Sequence, residues 1–114
     1  MSDPSIEDTG GPSAEGYPDG PVHHVLVRPV VFTLPGTNGP ESFTVNEVWM
    51  REPTGDDILL MGKAQTSEEK SMRLIAAMCD QPYLFARKLK GWDFVKLGLI
   101  LARFFPKGAS PLES

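Results

Sequence analysis

A chain of 114 residues suffices for one domain, and its 40% hydrophobic and 23% charged content fits a soluble globular protein. Cys79 is the only cysteine, which excludes an intramolecular disulfide and with it a disulfide-stapled secreted scaffold. No signal peptide is recognisable and no apolar run approaches the roughly 20 residues of a membrane-spanning helix, so a cytosolic protein with no membrane partner is expected.

The net charge of -4 is unevenly spread. Asp3, Glu7, Asp8, Glu15 and Asp19 stand in the first twenty residues without a lysine or arginine. Within 81–107, Arg87, Lys88, Lys90, Lys96, Arg103 and Lys107 are opposed only by Asp93. Residues 1–21 are rich in glycine, proline and acids, with Ile6 and Tyr17 as the only large apolar groups. Such a stretch buries too little to offset its ordering entropy and is read as a disordered acidic tail.

Residues 22–106 are expected to form a single α+β domain, a β-hairpin over 23–50 followed by three to four short helices. In the first strand Val25, Val27 and Val31 share one face, and Leu26, Val30 and Phe32 the other. Pro29 lacks an amide donor and belongs at an edge or a bulge. Pro35-Gly36 and Asn38-Gly39 mark the turn. In the second strand the Phe43, Val45 and Trp49 face, interrupted by Glu47, is expected to be the core side. A lone hairpin is marginal in water, so it must pack on helices or on another subunit.

Met50-Arg51-Glu52-Pro53-Thr54-Gly55-Asp56-Asp57 is the junction from strand to helix. Pro53 holds Glu52 extended. Thr54 is a helix N-cap, and Asp57 completes a short-armed capping box and favours the helix dipole. Arg51 and Glu52 form a hinge and a salt-linked clamp. Helices are expected over 54–64, over 67–80 with a Thr66/Glu69 capping signal, over 82–89 and over 92–105. In the second, Met72, Ile75, Met78 and Cys79 fall on one face with Leu74 beside it. In the last, the apolar sector is wider than so small a domain can easily cover from within. Residues 107–114 are read as a flexible C-terminus.

Catalytic, cofactor and metal sites are not expected. Neighbouring His23 and His24 point to opposite faces of a strand, and no cysteine–histidine set at ligand spacing accompanies them. Asp56 and Asp57 are accounted for as first-turn residues. Cys79 sits on an apolar helix face without a base. The basic region 87–103 with Trp92 could bind nucleic acid. The acidity of the whole chain argues against that, and a solvated face, an acidic protein segment or the chain's own acidic tail is the better match.

In order, Arg28-Pro29-Val30, the turn, Met50-Arg51-Glu52-Pro53-Thr54 with Asp57, Leu74-Ile75-Ala76, and Trp92-Asp93-Phe94 resemble the small tail assembly chaperone family of contractile-tailed, Mu-like bacteriophages. The resemblance spans about residues 24–106. Arg87-Lys88-Leu89-Lys90 departs from a stretch that is often acidic in the family, and Asp80-Gln81-Pro82 from a small-residue turn. Both departures imply a partner surface different from the family's. The resemblance implies a non-enzymatic role in the host cell cytoplasm, where the chaperone binds the tape measure protein during tail morphogenesis and is absent from the mature virion. The tail tube protein and a second copy of the chain are further candidate partners. The expected partner face comprises Trp92, Phe94, Leu97, Leu101 and Phe104, rimmed by Lys96 and Arg103, in a helix-in-groove mode. Rival readings are a virion structural tail or baseplate protein and, after it, a small nucleic-acid-binding regulator.

Overall fold

The turn at Thr37 and Asn38 closes a long hairpin between β1 (Val22–Gly36) and β2 (Gly39–Met50). Gly39 has φ +115°, a conformation that side chains with a Cβ rarely adopt. Four helices follow, α1 (Gly55–Met61), α2 (Ser67–Met78), α3 (Tyr83–Lys88) and α4 (Gly91–Ala102), giving an α+β architecture. The structure, a computed structural model, describes residues 17–105. Residues 1–16 and 106–114, with most of the expected acidic tail and the whole expected C-terminal tail, lie outside the described residues.

The expected tail is shorter than its composition implies. Pro18 is buried, and the Tyr17 ring packs edge-on against Phe104 with centroids 5.6 Å apart. The Tyr17 hydroxyl donates to a Glu52 carboxylate oxygen. Residues 17–21 are therefore a strap on the domain, held by one aromatic ring in an otherwise polar stretch.

Pairing in the hairpin breaks at Pro29, as the missing amide predicts. The register runs Val25↔Glu47 and resumes at Val30↔Val45, so Leu26–Pro29 stand opposite Asn46 alone. Asn46 and Glu47, neighbours in β2, are both exposed. Alternation along β2 therefore changes phase: Val45 is half-buried, then Val48 and Met50 are buried. This overturns the Phe43–Val45–Trp49 core face. Trp49 is 57% exposed and stacks on His23, and Phe43 is 40% exposed. A period of two cannot be carried across a bulge. In β1 the Leu26, Val30 and Phe32 face is the buried one.

The core joins these strand residues to Leu74, Ile75 and Met78 of α2, Phe85 of α3, and Leu97 and Leu101 of α4. On α2 the buried face is Ser71, Leu74, Ile75 and Met78, while Met72 is half-buried. The expected ends of α1 and α4 lie three residues further on because both helices tighten. Gly62, Lys63 and Ala64 donate to Leu59, Leu60 and Met61, and Arg103, Phe104 and Phe105 donate to Ile100, Leu101 and Ala102. These are three-residue closures that satisfy terminal carbonyls without continuing the α-helix.

Candidate functional site

Arg51 leaves the end of β2 with its backbone amide on the Met78 carbonyl, 2.9 Å away. Its guanidinium grips Asp57 with both ends, Nη1 at 2.7 Å and Nη2 at 3.2 Å. Nη2 also donates to the Ala77 carbonyl at 2.8 Å, and Nε to Asp80 at 3.2 Å. One side chain thus ties the hairpin, the start of α1 and the end of α2. A planar fork of donors suits such a junction better than a lysine point charge would. Asp57 is buried and closes the expected capping box: it accepts from the Thr54 amide at 2.8 Å and donates its own amide to Thr54 Oγ1. The Arg51 guanidinium, helped by the Thr54 donors and against the pull of burial, holds the Asp57 carboxyl below the usual carboxylate range. Glu52 contributes only its backbone carbonyl, which accepts from Arg51 Nη1 at 3.0 Å; its carboxylate accepts from Tyr17.

The end of α2 at Arg51 has a Schellman form. Gln81 donates to Ala76 and Asp80 to Ala77, with Asp80 at φ +55° where glycine is usual. The sequence Asp80-Gln81-Pro82 therefore still makes the turn, with an aspartate that tolerates the left-handed region.

Asp93 anchors α4. Its side chain is fully buried, and its carboxylate accepts from the amides of Val27 at 2.9 Å and Arg28 at 3.1 Å. Both amides lie in the bulge, where cross-strand pairing is interrupted. His24 Nε2 donates to the same carboxylate at 3.0 Å. Burial pushes the Asp93 carboxyl up, but the donors from Val27, Arg28 and His24 together prevail and hold it below its ordinary range. A carboxylate can be buried at this depth because each oxygen has donors.

That anchor sets the rotation of α4 and decides which of its residues face outward. Asp93, Leu97, Leu101 and Phe104 point into the domain. Leu97, Leu101 and Phe104 are core residues, which corrects their placement on a partner face, and Phe94 is half-buried at the core margin. The other side of the helix carries Trp92, Val95 and Leu99, 65%, 58% and 59% exposed. Lys96 and Arg103 are exposed with them. Spacings of three and four residues place this set along about three turns of one face. The apolar surplus expected for the last helix is present, but its accessible part is the face opposite the one Leu97 and Leu101 occupy.

Among the described residues no group of three histidine, cysteine, aspartate or glutamate side chains is placed to hold a metal ion. His23 and His24 do point to opposite faces, one to Glu47 and Trp49, the other to Asp93. Burial pushes the Cys79 thiol up to about 12, which leaves it a small hydrophobe. A cavity of about 490 Å³ lies between the 17–21 strap and the junction, lined by Tyr17, Pro18, Arg51, Glu52, Thr54 and Phe104 among others. It brings one cation, Arg51, together with two carboxylates, Asp19 and Glu52, the latter already accepting from the Tyr17 hydroxyl.

Sequence reasoning missed the link between Asp93 and the bulge. Its one available signal was the pair of oddities read separately, a proline within a strand and an aspartate opening an apolar helix. No family model, curated protein or solved structure matches the chain.

Proposed function

We propose that this protein is a non-enzymatic tail assembly chaperone that binds the tape measure protein during phage tail morphogenesis in the host cytoplasm. The observation that carries the reading is the outer face of α4. Trp92, Val95 and Leu99 stay exposed on a helix whose opposite face is locked into the core. An exposed apolar stripe of that kind marks an interaction surface. Lys96 and Arg103 within it keep the free protein soluble and favour a client with acidic flanks. A three-turn stripe is small beside the roughly 800 Å² that each partner contributes to a stable interface. Weak, reversible holding suits a chaperone that must hand its client on. The order of sequence features that resembles the tail assembly chaperones supplies the client's identity.

The test is co-expression with the tape measure protein and pull-down. Val95→Asp with Leu99→Asp, both on the exposed face, should reduce recovery of the client by about tenfold or more while leaving the circular dichroism spectrum unchanged. Undiminished recovery with that folded variant sinks the reading. Charging Leu97 or Leu101 instead would test only the core.

A second reading, a virion structural tail component, draws on the uncovered outer side of the hairpin. Val25, Val31 and Trp49 are exposed there, and among the described residues neither strand pairs with a third. Its presence in purified particles would favour this reading over the chaperone.

A further inference from the structure

The outer face of α4 is apolar and basic, and the chain enters the domain beside it. Tyr17 is seated on Phe104, the second residue after the end of α4. The residues before Tyr17 thus join the domain at the C-terminal end of that helix. They include Asp3, Glu7, Asp8 and Glu15, with no lysine or arginine. On α4 and at its flanks stand Lys96, Arg103, Lys88 and Lys90, all exposed. The 12 residues of α4 are about 18 Å long, and a 16-residue segment spans up to about 50 Å, so reach is ample.

We propose that the acidic segment preceding Tyr17 is a ligand of the outer face of α4, so that the chain covers its own client-binding stripe and a client must displace it. The contact itself follows from charge and tethering; its regulatory meaning rests on the client reading above. Glu15, beside the Tyr17 anchor, is in reach of Arg103, and Glu7 and Asp8 are in reach of Lys96. Ile6 is the one large aliphatic side chain of the segment and matches Trp92, Val95 and Leu99. Exposed ion pairs of this kind are weak between separate molecules. A short tether raises the local concentration of the segment to the millimolar range, where weak contacts are substantially occupied. The same weakness lets a longer apolar client compete. Tyr17 is then the hinge pin: its ring on Phe104 and its hydroxyl on Glu52 fix where the segment departs.

The experiment uses the full chain with Trp49→Phe, which leaves Trp92 as the only tryptophan. Acrylamide quenching of Trp92 is compared with a chain that also carries Asp3→Asn, Glu7→Gln, Asp8→Asn and Glu15→Gln. At about 0.05 M salt the neutralised chain should be quenched about twofold more strongly, and about 0.5 M salt should raise the acidic chain to the same level. Lys96→Glu with Arg103→Glu, in the acidic background, should expose Trp92 in the same way. Equal quenching of acidic and neutralised chains at low salt overturns the proposal. Protection that disappears on dilution assigns the face to the segment of a second copy and overturns it as well.

Pull-down of the tape measure protein separates this outcome from that of the client reading. Protection of Trp92 with no client recovered from either chain sinks the function and leaves the contact standing. Client recovered equally from both chains, with no protection, sinks the contact and leaves the function standing. Stronger recovery from the neutralised chain supports both.

Discussion

Asp57 and Asp93 both sit in the first turn of a helix, and they do different work. Asp57 answers a cation and its own cap: Arg51, about a third exposed, holds it from outside, and Thr54 three residues earlier completes the box. Asp93 answers backbone. Its carboxylate is out of water altogether and takes up two amides that a break in strand pairing left over, across a sequence separation of 66 and 65 residues. The first is local and electrostatic, so salt screens it. The second is long-range and dry, and it sets the rotation of α4 and hence the face that the protein shows. A first-turn aspartate is therefore not read fully by its capping role alone; what faces it decides whether it trims a helix end or positions the domain.

The strongest way to break this contrast is to remove each carboxylate. Asp93→Ala strands the Val27 and Arg28 amides and the His24 donor, and should cost about 3 kcal/mol, since an unsatisfied buried polar group costs about 1–3 kcal/mol. Asp57→Ala should cost about 1–2 kcal/mol, because Arg51 keeps the Ala77 carbonyl and Asp80 and its exposed part returns to water. Urea unfolding of both variants measures the difference. A larger loss from Asp57→Ala would reverse the ranking. Asp93→Ala should also make Trp92, Val95 and Leu99 lose their fixed orientation, seen as altered hydrogen exchange along α4 at a salt and temperature where the variant is still folded.

How much of this was legible follows from the same distinction. The Thr54–Asp57 box, the Thr66 cap, the bulge at Pro29 and the order of hairpin and helices were readable, because each depends on residues a few positions apart. The core side of β2 was misread because the bulge shifts the phase of alternation between Val45 and Val48. The outward face of α4 was misread because all of its sides carry apolar residues, so only the Asp93 anchor selects the inner one. Tyr17 was lost in a stretch whose composition is otherwise that of a tail. Each of these depends on a partner far away in the chain, which periodicity and capping rules do not contain.

Acid titration sharpens the contrast by a smaller margin. Both carboxyls lie below their ordinary range in the folded protein. Between the folded and unfolded values the unfolded chain binds more protons, so stability rises with pH there. The contribution is complete above an unfolded value of about 3.9 and is lost as pH falls through the folded values. Denaturation midpoints should therefore decline below about pH 4, and Asp57→Asn and Asp93→Asn should each flatten the decline. Adding about 0.5 M salt should shrink the Asp57 share more than the Asp93 share, since Arg51 is about a third exposed whereas Asp93 is held by two backbone amides and a His24 side chain only 12% exposed. Equal salt sensitivity of the two would remove the distinction between them.

The smallest effect concerns Asp80, the other carboxylate that Arg51 touches. Its side chain is 73% exposed and 3.2 Å from Arg51 Nε, and such pairs are worth at most about 1 kcal/mol. Its backbone, at φ +55°, is left-handed and closes the Schellman turn. Asparagine tolerates that region, so Asp80→Asn should cost only the ion pair, a few tenths of a kcal/mol, and should cost nothing at high salt. Glycine removes the Cβ conflict as well, so Asp80→Gly should be about 0.5 kcal/mol more stable than Asp80→Asn. The comparison of these two variants, rather than either against the native chain, isolates the backbone contribution. If asparagine proves the more stable, the turn is held by side-chain contacts of residue 80 and not by its left-handed backbone.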